Sequence, residues 1–382
     1  MITVNSSPNT NQPAYNQLLF NIQSNNSAQP NFKYVVDVYI DGATPTLQSR
    51  LLFPLQISGS NLTIDIMPVI KNYVQYDFLN AVGVNIAANT NSRAKYYVQF
   101  GEMYDVLTGT EYVPTIFPNL LRNPSSGFKF AYNAVFPFLE FTSNIMASYN
   151  VNSDKFLSNE FGSYRVGDNK LITFYDPARV VTSVVISTDG TAPTTQAITL
   201  PASEYEFNLN LKQILTALSI TPSGAINVAF KAGGSTVGNY GLIVDTDCTS
   251  YEIFRLHWLN KLGGWDAYNF TKSSVETSSI NRKQYKKILP LGYSTTDRLK
   301  VNYQTTMEDN INVTSDWVSD DEFVWLQGLV ESSIVYLESG NSFVSVNITD
   351  TAYEIKKYIN GRKLNTLNIN IQPSYNRYSQ SL

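Results

Sequence analysis

The sequence holds one histidine, His257, and one cysteine, Cys248, in 382 residues. A lone cysteine excludes an intrachain disulfide, so the fold has to be held by its core, as is usual for proteins made in a reducing compartment. One histidine and one cysteine also exclude zinc sites built from those two residue types. Histidine is the side chain most used for acid–base work near neutral pH, and nothing near His257 resembles a nucleophile elbow. Charge is scarce too. Charged residues make up 15% of the chain, against roughly 25% in average soluble proteins. The formal net charge of −4 argues against general nucleic-acid binding, which needs a dominant basic field. No apolar run approaches the about 18 residues of a membrane-crossing helix. Met1–Pro30 is polar and rich in Asn and Ser, so no secretory signal is expected there. These shortages point away from an enzyme and away from a cofactor, and toward a structural chain covered by partners.

What replaces the charge is Asn, Ser, Thr and aromatic residues, with 25 Tyr and 20 Phe. Large half-buried rings favour strands, where they fit a pleated surface. The expected fold is mainly β: two immunoglobulin- or fibronectin-like β-sandwich modules followed by a C-terminal β-rich domain with a short helix. The expected divisions are a flexible arm over 1–30, a first module over 31–165, a second over 166–250 and an assembly domain over 251–382.

The two modules echo each other. In the first, Tyr34, Val36, Val38 and Ile40 alternate with their neighbours and run into Asp41-Gly42. Leu51–Phe53 and Leu62–Ile64 follow, and Asp65 offers a cap for a short helix through Met67, Ile70 and Val74. In the second, Val180–Ile186 runs into Asp189-Gly190. Ile198–Leu200 and Tyr205–Phe207 follow, and a helix through Leu211, Ile214, Leu215 and Leu218 closes the unit. Such recurrence reads as a duplicated module. The last region is different. Phe254, Leu256 and Trp258 alternate with Arg255, His257 and Leu259, Gly263-Gly264 turns the chain, and Trp265–Phe270 returns as a hairpin. Ser319 with Glu322 makes a capping box, and Val318 with Phe323 a hydrophobic staple, at the start of a helix.

Four features carry candidate chemistry. His257 reads as an outward polar residue or a satisfied, partly buried imidazole. Asp316, Asp320, Asp321 and Glu322 offer oxygens to a cation, but acidic residues at a helix start are already explained by its dipole and free amides. The many Trp and Tyr leave sugar stacking open, with core packing as their default. Arg282, Lys283, Lys286 and Lys287 flank Tyr285. Basic residues with an interleaved ring suit a phosphate backbone, a solvated strand face, or an acidic neighbouring subunit.

A resemblance joins these readings. The run Phe254-Arg-Leu-His-Trp-Leu-Asn-Lys-Leu-Gly-Gly-Trp-Asp-Ala-Tyr-Asn-Phe270 resembles virion proteins of short-tailed, crAss-like phages infecting Bacteroidota. So do Tyr285–Tyr293, Ser315–Leu326 and Ile348–Glu354, and in the first module Phe32–Gly42 and Ile64–Val74. The resemblance implies a neck or tail component of the virion, assembled in the bacterial cytoplasm. It implies a homo-oligomeric ring, twelve-fold or six-fold, docked to adjacent portal, neck or tail proteins and passing DNA at ejection. It implies no catalytic residues, no cofactor and no membrane. The alternative that stays open is a receptor- or glycan-binding surface or fibre protein.

Overall fold

The structure, a computed structural model, describes residues 1–40, 45–55, 61–78, 81–117, 120–142, 145–201, 204–247, 250–288, 291–340, 342–350, 365–375 and 377–378. The turn expected at Asp41-Gly42 and the single cysteine, Cys248, lie outside the described residues. The chain is mainly β, with several sheets and a few short helices.

The first unit contains β1 (Ile2–Ser6), β2 (Asn11–Pro13), β3 (Leu19–Ser24), β4 (Lys33–Ile40), β5 (Thr46–Pro54), β6 (Leu62–Asp65), α1 (Met67–Ile70), β7 (Ile86–Ala88), β8 (Arg93–Thr108), β9 (Glu111–Ile116), β10 (Leu121–Asn123) and β11 (Lys129–Tyr132). Sheet β1-β3-β6 packs on sheet β2-β11-β8-β4-β5. Phe20, Ile22 and Ile64 of the small sheet interleave with Val36, Val38, Val98 and Phe100 of the large one. Asp65 holds the corner: its Oδ1 accepts from the amides of Leu18 at 3.0 Å and Met67 at 2.9 Å. The expected flexible arm over 1–30 is therefore corrected. Its strands lie in both sheets, and Ile2, Leu18, Phe20 and Ile22 are buried. Their apolar area outweighs the disorder that an Asn- and Ser-rich composition favours.

After α2 (Ile145–Ser148), the second unit contains β12 (Tyr164–Arg165), β13 (Leu171–Tyr175), β14 (Ser183–Thr188), β15 (Thr191–Ala197), β16 (Glu206–Asn210), α3 (Leu211–Ala217), β17 (Ala225–Ala232) and β18 (Ser235–Asp245). Its large sheet runs β12-β18-β17-β14-β15 and its small sheet β13-β16-β7. The two units share one topology. β3 pairs with β6 as β13 pairs with β16. β4 lies between β5 and β8 as β14 lies between β15 and β17. β2 joins β11 in parallel as β12 joins β18 in parallel. This is an immunoglobulin order, with the extra strand on the larger sheet as in variable-type domains. Gly190, at φ 75°, makes the β14–β15 turn that side chains with a Cβ resist. The units also interlock. β7 leaves the first stretch of chain to pair with β16, and Val151, Phe156 and Tyr164 pack in the second core, ahead of the expected boundary at 166.

Antibody-type domains bridge their two sheets with a disulfide between the second strand and the strand that follows the short helix. Here both positions are phenylalanines. Phe20 on β3 meets Phe100 on β8 with ring centroids 5.3 Å apart, and Phe174 on β13 meets Phe230 on β17 at 5.0 Å. All four rings are fully buried. Burying one such ring is worth about 1.5–3 kcal/mol, and a tilted pair adds about 0.5–1.5 kcal/mol.

The third unit contains β19 (Phe254–Leu259), β20 (Trp265–Phe270), β21 (Val275–Lys286), β22 (Lys300–Thr314), α4 (Asp320–Glu331), β23 (Val335–Ser339), β24 (Ser342–Ile348), β25 (Asn368–Pro373) and β26 (Arg377–Tyr378). One sheet runs β20-β19-β23-β24-β25-β22-β21, and α4 covers a face of it through Phe323, Leu326 and Leu329. The capping box at Ser319 and Glu322 forms as its residues suggest. The opposite face of β19 and β20 is buried as well, against the two sandwiches. Gly263 and Gly264 permit that seating. A Cβ at Gly263 would stand 2.3 Å from the Asn133 carbonyl oxygen, and one at Gly264 2.5 Å from that of Leu157.

If the ring pairs hold the sheets together, Phe100→Ala and Phe230→Ala each lower the unfolding free energy by about 3–5 kcal/mol in urea titrations. A loss under about 1 kcal/mol for both would place the inter-sheet contact elsewhere.

Candidate functional site

Two clusters stand out, one buried and one exposed. The buried one lies where the three units meet. Trp265 Nε1 donates to the Asp77 carbonyl at 3.0 Å, and its amide donates to Thr173 Oγ1 at 3.1 Å. His257 is here, almost wholly buried, and its Nε2 donates to the Glu338 carboxylate at 2.7 Å. Arg255 pairs with Glu338 and Asp168, each at 3.1 Å. Burial lowers the His257 imidazole to about 4 despite its carboxylate partner. Burial alone would raise Glu338, but the hydrogen bond from His257 and the Arg255 charge outweigh it and hold the carboxyl below its ordinary range. The result is a neutral imidazole donating to a carboxylate, a structural clasp. The reading of His257 as a satisfied imidazole stands, and the outward orientation does not, because a second layer covers that face.

A second clasp joins the two sandwiches. Glu206 accepts from Asn89 Nδ2 at 2.6 Å and Ser92 Oγ at 2.9 Å. Burial raises its carboxyl to about 7, against the pull of those two donors.

Three of the four acidic residues around the start of α4, all but Asp321, are occupied by local tasks. Glu322 completes the capping box, Asp316 pairs with Lys272 at 3.0 Å, and Asp320 accepts from Asn365 at 2.8 Å. No group of three or more His, Cys, Asp or Glu side chains placed to hold a metal ion occurs among the described residues.

The exposed cluster is a β-arm, and it gathers all four basic residues singled out in the sequence. β21 and β22 pair from Val275 and Asn312 at the base to Lys286 and Lys300 at the far end. Every residue of β21 is exposed. β25 supports β22 only over Ile311–Thr314, and β26 only at Thr306 and Met307. Beyond Thr306 the described arm is therefore two strands with no further strand beside them. A two-stranded ribbon is marginal alone in water.

Its charge is mainly of one sign. Arg282 and Lys286 project from one face of β21, while Lys283 and Tyr285 project from the other. Lys287 follows, its amide donating to the Leu299 carbonyl at 2.7 Å. Arg298 and Lys300 return on the partner side. From 282 to 300 there are six cations and one carboxylate, Asp297, on a chain whose net charge is −4. None of the six forms an ion pair among the described residues. Lys286 stands directly opposite Lys300, a like-charge pairing that destabilises a ribbon on its own.

The tip adds what the sequence reading did not single out. Ile288, Leu291 and Tyr293 are 92%, 105% and 66% exposed. Apolar groups beside cations, displayed together, mark an interaction surface. The available signal was the Pro290 and Gly292 break between two long alternating runs, which is a hairpin signature. No family model matches the chain, and no curated protein is similar to it.

Replacing Ile288, Leu291 and Tyr293 together by Ser should change unfolding free energy by less than about 0.5 kcal/mol, as at unpacked surface sites, and weaken retention on a hydrophobic-interaction column. A loss of about 2 kcal/mol or more would mean that the tip packs on its own chain. The clasps give a pH signature. Glu206, raised above its unfolded value near 4.5, contributes stability that is full below pH 4.5 and lost as pH rises through 7. His257, lowered from 6.5, contributes stability that is full above pH 6.5 and lost as pH falls through 4. Glu206→Gln removes the first dependence only. Its stability relative to wild type should therefore improve between pH 5 and pH 8 in urea titrations, and a difference that is constant with pH would refute the assignment.

Proposed function

We propose that this chain is a non-enzymatic structural protein of a phage virion that forms a homo-oligomeric ring in the tail or neck. The observation that carries the reading is the β-arm: a ribbon with β21 exposed along its whole length, charged opposite to its own chain and tipped with apolar side chains. Such an element is costly to display and gains stability only against a partner. The sequence resemblance to crAss-like phage virion proteins supports the same reading and supplies the setting. The two immunoglobulin-type sandwiches and the clasped junction form a stiff frame, which suits a part that transmits no chemistry. In this role the ring continues the DNA conduit and docks to the neighbouring portal, neck or tail proteins. It needs no cofactor and no membrane, and no described helix is long and apolar enough to cross one.

Native mass spectrometry and electron microscopy of the purified chain and of phage particles test this. The expected outcome is a closed ring of one copy number, seen again as a layer of the tail or neck. A monodisperse monomer that never enters particles would sink the proposal, and specific retention by a host polysaccharide would favour a surface-binding role.

A further inference from the structure

The third unit meets the second unit along a cleft of opposite character to the arm. Two depressions of about 630 and 870 Å3 share Gly162, Ser163, Ile243 and Glu322 and form one trough. Asp154, Glu160, Asp245, Asp247, Asp316 and Glu322 line it. Two cations stand at its rim, and both are already engaged, Lys272 with Asp316 at 3.0 Å and Arg165 with Asp245 at 3.4 Å. Glu160 and Asp247 have no ion-pair partner among the described residues. Desolvation and the nearby Asp154 carboxylate raise the Glu160 carboxyl above its ordinary value, against the Gly241 backbone and the Lys170 charge. The trough is also apolar where the arm is apolar: Ile243 is 71% and Trp317 62% exposed.

We infer that the basic, apolar-tipped arm of one copy docks in the acidic trough of a second copy of this chain. The inference rests on the proposal that the chain assembles with itself, and it assigns the two halves of the contact. Sign and polarity match at both levels, cations to carboxylates and Ile288, Leu291 and Tyr293 to Ile243 and Trp317. Such complementarity sets the partner and the register of an interface.

The arm's own trough is out of reach. The arm starts at the trough's edge, where the Lys272 amide donates to the Thr314 carbonyl at 3.4 Å. Its strands then run away for eleven residue steps, about 36 Å at the usual rise. A tip that far off meets another molecule's trough, and arm-into-trough is a heterologous contact, the kind that closes rings or propagates filaments.

The test uses full-length chains with surface charges reversed. An arm variant carries Lys283→Glu, Lys286→Glu and Lys287→Glu, and a trough variant carries Glu160→Lys and Asp247→Lys. All five positions are exposed, and urea titration checks that both variants fold. In sedimentation experiments each variant alone should associate at least tenfold more weakly than wild type. An equimolar mixture should recover association, because the intact arm of the trough variant meets the intact trough of the arm variant, and the reversed arm meets the reversed trough. Rings persisting in both variants would overturn the docking and leave the ring proposal standing. Recovered association in the mixture, with no closed ring from wild type, would uphold the docking and refute the ring. No association in wild type or mixture would overturn the docking, and so would an arm variant that assembles normally but loses retention of duplex DNA.

Discussion

The rest of the molecule depends on the contact between the two sheets of each sandwich, which no covalent bond supports. Phe20 on Phe100, and Phe174 on Phe230, sit where a cross-linked domain of this type has its disulfide. The fold is thereby freed from the redox state of its surroundings, and everything rests on apolar area and ring geometry. The consequence runs outward. The closed sandwiches present rigid flanks, the β19–β20 hairpin seats on those flanks through its two glycines, and the sheet grown from that hairpin ends in the arm. The arm's direction is set by contacts far from it.

The junction shows how polar groups serve in such a body. Arg255, His257, Glu338 and Asp168 pair with one another in the buried junction, as do Glu206, Asn89 and Ser92. Buried groups of this kind add little net stability when paired and cost several kcal/mol when one partner is lost. They fix one arrangement of three units where apolar packing alone would tolerate several. The opposed titrations of Glu206 and His257 offset each other between about pH 4.5 and 6.5.

Much of this was legible in the residues. The alternation over Tyr34–Ile40 is β4, the capping box at Ser319 is the start of α4, and Gly263-Gly264 is the hairpin turn. The echo between the modules is the visible trace of a shared topology. What stayed hidden has physical reasons. Phe20 and Ile22 alternate as a strand should, but polar neighbours dilute the signal over 1–30. β2 and β12 are two or three residues long and defined by parallel partners more than 75 positions away, so no local pattern announces them. One face of β19 looks polar because its partners are other buried polar groups. At the arm, the cations declared themselves by sign. Ile288, Leu291 and Tyr293 did not, because a hydropathy pattern records that a side chain is apolar and not that it has been left in water.

The face-to-face lysines Lys286 and Lys300 have a consequence for the order of events after synthesis. A long, bare strand edge is a template on which identical copies can stack indefinitely. Two arms approaching edge to edge would bring these four like charges together, so mispairing is opposed from the first encounter. A mutation that neutralised them would remove that opposition while leaving the buried cores untouched.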